Sequence, residues 1–202
     1  MTASADHTAK LWDASLGKLI SSLVHQDGLY SAAFSPDGAR ILTASADKTA
    51  KLWDATSGKI IASFDHLASV LHALFSPDGT RILTASEDNS AKLWDAASGK
   101  LIASFQHQNW IWHGAFSADG TRILTASADH SAKLWDAASG KLIISFDHQD
   151  EAHWAGPTEG TRLTFTEVVN VITERARNLV KTRSDISDLE VISIDFREPR
   201  EL

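Results

Sequence analysis

The stretch RILTASADKTAKLWDATSGKIIASF, residues 40–64, decides the fold. It returns as residues 81–105 and 122–146, and its second half opens the chain at residues 2–23. Trp12, Trp53, Trp94 and Trp135 each stand 41 residues from the next. A fixed period of this length belongs to arrays whose units cannot bury their apolar faces alone and must stack on their neighbours. Inside the unit, Leu29–Phe34, Arg40–Ser45, Thr49–Trp53 and Lys59–Phe64 are four runs of ordinary strand length. Ser35-Pro36-Asp37-Gly38 is a turn in which proline pre-sets φ. Period-two alternation sends Ile41, Thr43 and Ser45 to one face and Leu42 and Ala44 to the other. Both faces are small or apolar, as expected of a sheet covered on both sides.

A short apolar strand closed by Trp-Asp, repeated at this period, resembles the WD-repeats of β-propellers, in the tandem form of bacterial arrays. The resemblance implies an all-β fold of propeller blades. Residues 1–163 then divide into a partial unit 1–24, complete units 25–65, 66–106 and 107–147, and a degenerate unit 148–163. Propellers close with 4–8 blades. This count implies a partial ring, a ring of eight blades completed by a homodimer, or the C-terminal part of a longer chain. In the family, a histidine before the first strand, a Ser or Thr on the second, an aspartate in the next turn and the tryptophan form a buried hydrogen-bonded set. The resemblance carries this onto His25, Ser45 (or Thr43), Asp47 and Trp53, then His66, Ser86, Asp88 and Trp94, then His107, Ser127, Asp129 and Trp135. A buried indole N–H and imidazole do need partners. The glycine usual before that histidine is replaced here by Val24, Asp65, Gln106 and Asp147.

Beyond residue 163 the period changes. Val168, Val169, Ile172, Ala176, Leu179 and Val180 form a stripe at helical spacing, and Thr164 with Glu167 has capping-box spacing. These predict a helix over about 165–181, followed by a strand at Asp188–Phe196, so that 164–202 is a helix-and-strand extension.

Composition narrows function. The 202 residues carry a net charge of −7, which argues against a general nucleic-acid or membrane-surface binder. There is no cysteine, and the polar start TASADHTAK is no signal peptide, so a cytoplasmic protein is expected. His, Ser and Asp recur in every unit, which suits structure and not a single hydrolytic triad. Gly58-Lys59 and its copies lack the rest of a phosphate loop. No enzyme activity, cofactor or metal is expected. His72 and His113, with Ser31 at the same place in another unit, are too few ligands for a metal.

Residues 80–106 and 121–147 differ only at Glu87/Ala128, Asn89/His130, Ala103/Ile144 and Gln106/Asp147. Against that uniformity one window varies freely, namely DGLYSA (27–32), ASVLHA (68–73) and NWIWHG (109–114). The resemblance places this window on a rim and on the channel-lining strand, where partners dock. Trp110, Trp112, Tyr30, Lys48, Asn89 and His130 are therefore the candidate contacts for a protein or peptide partner, aromatics being good anchors. Alternation points Trp110 to the surface, whereas Trp112 fits either the surface or the space between blades. The expected function is a non-catalytic interaction scaffold. The alternative is the sensor or autoinhibitory end of a larger ATP-dependent signalling protein, or a fragment of one.

Overall fold

Short polar turns cut the chain into strands, and the same three turns recur in each unit. The carboxylate of Asp47 accepts the Thr49 amide and hydroxyl, that of Asp54 accepts the Ser57 amide and hydroxyl, and that of Asp37 accepts the Ala39 amide. Each is an aspartate folding the backbone back on its own side chain. Between these turns the β-branched and apolar residues are free to pair.

The computed structural model describes residues 1–147. The degenerate unit 148–163, the helix at 165–181 and the strand at 188–196 lie outside the described residues. Four antiparallel sheets follow one another along the chain. The first holds β1 (Thr2–Ala3), β2 (Thr8–Trp12) and β3 (Leu19–Val24). The second holds β4 (Leu29–Phe34), β5 (Arg40–Ser45), β6 (Thr49–Asp54) and β7 (Ile60–Asp65). The third holds β8 (Val70–Phe75), β9 (Arg81–Ser86), β10 (Ser90–Asp95) and β11 (Leu101–Gln106). The fourth holds β12 (Ile111–Phe116), β13 (Arg122–Ser127), β14 (Ser131–Asp136) and β15 (Leu142–Asp147). Each is a meander in chain order, the arrangement of a propeller blade. The opening unit contains more than two strands, because Thr2 and Ala3 pair with Lys10 and Ala9 as a short third.

Stacking of one sheet on the next builds the core. Leu42, Ala44, Leu52 and Phe64 of the second sheet pack with Ile82 and Trp94 of the third. Leu83, Leu93 and Phe105 of the third pack likewise with Ile123 and Trp135 of the fourth. The indole rests on the preceding phenylalanine, at 5.3 Å for Phe64–Trp94 and 5.1 Å for Phe105–Trp135 between ring centroids. Arg40 crosses the same seam to lie 5.3 Å from the Phe75 ring centre and to donate to the Gly79 carbonyl at 2.8 Å. Arg81 repeats this with Phe116 and Gly120. Trp53, Trp94 and Trp135 are 4%, 9% and 8% exposed, while Trp12 is 39% exposed. Burying one indole, 150–250 Å² at about 25 cal/mol per Å², contributes roughly 4–6 kcal/mol before entropy is counted. The seam tryptophan is therefore a major packing element of each complete unit.

A β-bulge interrupts every complete inner strand, with the register shifting between Leu29 and Ser31, Val70 and His72, and Ile111 and His113. The skipped residues are Tyr30, Leu71 and Trp112. A bulge leaves its extra residue unpaired and re-aims the side chain, and this sets up the surface described next.

Candidate functional site

A chain of four polar groups ties each blade to the segment that enters it. In the second blade, His25 Nδ1 lies 2.8 Å from Asp47 Oδ2 and its Nε2 lies 2.7 Å from Thr43 Oγ1. Trp53 Nε1 donates to the same Thr43 oxygen at 2.8 Å. The third blade repeats this through His66, Asp88, Thr84 and Trp94, and the fourth through His107, Asp129, Thr125 and Trp135. The donor–acceptor balance fixes the tautomer. A carboxylate only accepts, so Nδ1 carries the proton and Nε2 accepts from threonine. The threonine hydroxyl thus receives the indole N–H and passes its own proton towards histidine.

The bridging hydroxyl belongs to Thr43, Thr84 and Thr125, and this corrects the placement of Ser45, Ser86 and Ser127 in the sets. Both residue types lie on one strand face, two positions apart, and only the threonine pairs beside the tryptophan's strand at the right height. Ser45 serves a neighbouring task, donating to the Asp27 and Gly28 carbonyls and accepting the Asp47 amide. Ser86 and Ser127 do the same for Ala68 and Asn109, accepting the Asp88 and Asp129 amides. The serine therefore shapes the loop before the inner strand, and through the aspartate it holds the four-group chain in place.

Burial alone would raise the Asp47 carboxyl, but hydrogen bonds from Thr49, the Gln26 amide and His25 outweigh it and hold it well below the usual carboxylate range. Asp88 and Asp129 are lowered in the same way against the same opposing burial. Burial lowers His25 and His107 below 6.5, their aspartate partners opposing it. At His25 and His107 this sets a neutral imidazole beside an ionised carboxylate, a structural pair. Sequence reading also passed over Lys51, Lys92 and Lys133, two residues before each tryptophan. Their ammonium groups sit 5.7–5.9 Å from the indole ring centres.

The variable window lies at the end of the sheets where these histidines enter. There the Trp110 carbonyl accepts the Ala128 amide at 2.8 Å, and the Ser69 and Gly28 carbonyls accept those of Glu87 and Ala46. Trp110 is 43% exposed and Trp112 48% exposed, and their rings meet edge to face at 5.7 Å. Tyr30, on the equivalent bulge, is exposed as well. Lys48, Asn89 and His130 hold φ of 71°, 67° and 63°, conformations that non-glycine residues rarely adopt. The carbonyls of Lys48 and Asn89 accept the amides of His66 and His107. Those three positions are set by the backbone turn, and Lys48 and His130 extend into solvent from it.

Inside, His72 and His113 stack with ring centroids 3.8 Å apart and planes 24° from parallel. Ser31 Oγ and His72 Nδ1 are sealed from solvent and have no hydrogen-bond partner among the described residues. Burial, with His113 as a second cause, pushes His72 down to about 3, and burial pushes His113 down to about 4. Stacked rings set their nitrogens side by side and do not converge them on one ion. Among the described residues no three metal-ligating side chains come together.

Sheets of this build, stacked by a recurring tryptophan, define the class of β-propeller blades. The family model described as "WD domain, G-beta repeat" matches residues 17–54, 58–95 and 99–136, more than half of the sequence, and the chain belongs to the WD40 repeat family. It is similar to the WD40 repeat-containing protein HOS15 of Arabidopsis thaliana, with 54% identity over 41 residues. That match covers 20% of this chain and 7% of the relative's length.

Two outcomes follow from this geometry. Thr43→Val orphans both the indole N–H and the imidazole of a buried chain, whereas Ser45→Ala, at an equally buried position, gives up bonds to the partly exposed Asp27–Gly28 loop. Urea unfolding should show the first costing about 2–4 kcal/mol and the second about 1; equal costs would contradict the bridging role. His25, His72, His107 and His113 hold protons less tightly folded than unfolded, so acid favours unfolding. The thermal midpoint should be level above pH 7 and fall as pH drops from 6.5 towards about 3. His72→Ser, which copies Ser31, should flatten the upper part of that fall.

Proposed function

We propose that this chain is a non-catalytic scaffold that holds a protein or peptide at the end of the blades bearing Trp110 and Trp112. WD40 repeats are generally protein-interaction scaffolds and typically non-enzymatic. The observation that carries the reading here is the exposed edge-to-face tryptophan pair, in the one window that escapes the near-identity of the units. Two indoles leaving solvent supply the large, low-entropy contact area on which hot spots are built. Tyr30, Lys48, Asn89 and His130 surround the same end as secondary contacts. Peptides selected from a random library on the intact chain test this. Binders should lose roughly 30-fold or more in affinity on Trp110→Ser and Trp112→Ser, about 2 kcal/mol for a central aromatic. Binders indifferent to both changes would overturn it.

A homodimer that completes an eight-bladed ring is a second, finer proposal, and the exposure of Trp12 supports it. Every other seam tryptophan lies on a preceding blade, and a second copy would supply that blade for Trp12. A mass of twice 21.9 kDa or more, whose build-up with concentration weakens in Trp12→Ser, is the expected result. A single-chain mass at every concentration would overturn it.

A further inference from the structure

The outer strand of every blade shows two adjacent large aliphatic residues to solvent. They are Leu19 and Ile20, Ile60 and Ile61, Leu101 and Ile102, and Leu142 and Ile143, all 46–56% exposed. Among the described residues these strands, β3, β7, β11 and β15, are sheet edges, each paired on one side only. An edge that is both unpaired and aliphatic is a template for another strand. A register shift beside each tryptophan, such as that between Leu52 and Trp53, carries the chain into the two residues concerned.

Two of the four edges carry opposite charges at their ends. Lys59 immediately precedes β7, which ends on Asp65, and Lys141 immediately precedes β15, which ends on Asp147, all four side chains exposed. The edges of the first and third blades end on Val24 and Gln106 instead. A strand with a cation at one end and an anion at the other is complementary to an antiparallel copy of itself. Aligning Lys59 with Asp65 of a second copy sets Ile60 opposite Phe64, Ile61 opposite Ser63 and Ala62 opposite Ala62. The same register holds for β15, and for β7 against β15. We propose that β7 and β15 are docking edges for the same strands of a second copy of this chain. Backbone pairing and the exposed aliphatic residues supply the attraction, and the terminal charges fix direction and register. This contact uses the outer strands and leaves Trp12 and the Trp110–Trp112 pair untouched, and carrying its test in the Trp12→Ser background separates it from the ring contact proposed above.

Charge reversal in complementary pairs is the test, read by light scattering on the full chain over a range of concentrations. The Trp12→Ser chain, taken as the parent here, should self-associate. A variant with Lys59→Asp and Lys141→Asp bears anions at both ends of each edge, and one with Asp65→Lys and Asp147→Lys bears cations at both ends. Each alone should associate about tenfold more weakly or worse, with its thermal midpoint unchanged. An equal mixture of the two should regain the parent's association, because each then meets its complement. A parent that stays monomeric, variants that associate as the parent does, or a mixture that gains nothing would each overturn the proposal.

Discussion

Everything else in this molecule depends on the indole N–H of the seam tryptophan finding a buried acceptor. Trp53 contributes heavily to packing, yet its nitrogen must leave water to do so, and an orphaned donor there would cancel much of the gain. Thr43 answers that need, and in doing so it turns its own proton towards His25, whose other nitrogen then requires Asp47. The aspartate in turn accepts the Gln26 amide and the Thr49 hydroxyl, so the loop before the inner strand and the turn beyond the second strand are fastened together. One packing decision therefore fixes the entry of the chain into the blade. The loop that carries the variable residues hangs from this frame, which lets it change without loosening the sheet.

Much of this was legible in the sequence because the repeat supplied its own controls. Four copies of one pattern made the strand limits visible, and Leu29–Phe34 and Arg40–Ser45 are bounded as the turns implied. What periodicity could not resolve was height along a strand. Thr43 and Ser45 share a face and a hydroxyl, and only the pairing of Thr43 with Lys51, two places from Trp53, decides which one meets the indole. The bulge was equally hidden. Nothing in the residue types of Leu29–Phe34 announces that Tyr30 is skipped by the ladder, and without the bulge Trp112 reads as buried or exposed with equal ease. Exposure of Trp112 is a consequence of backbone register, which a hydrophobic pattern does not encode.

The rim and the edge differ in how they were built. Trp110 and Trp112 arise from substitution in a single unit, against a background of near-identical neighbours. The aliphatic pairs on the outer strands occur in every unit and so belong to the pattern itself. A feature repeated in all blades multiplies along the array, whereas a feature of one blade marks a place. The buried stack of His72 and His113 falls between these cases, shared by two blades and replaced by serine in a third.

The near-identity of the seams carries a consequence for the history of the chain. Arg40 reaches Gly79 as Arg81 reaches Gly120, and Phe64 meets Trp94 as Phe105 meets Trp135. A blade removed or inserted at the 41-residue period would leave both new neighbours meeting partners they already know. Unequal exchange between copies of the gene could therefore lengthen or shorten the array in whole steps without breaking a hydrogen bond. The same interchangeability weighs on folding, since a strand from one blade can enter its neighbour's place with little to reject it.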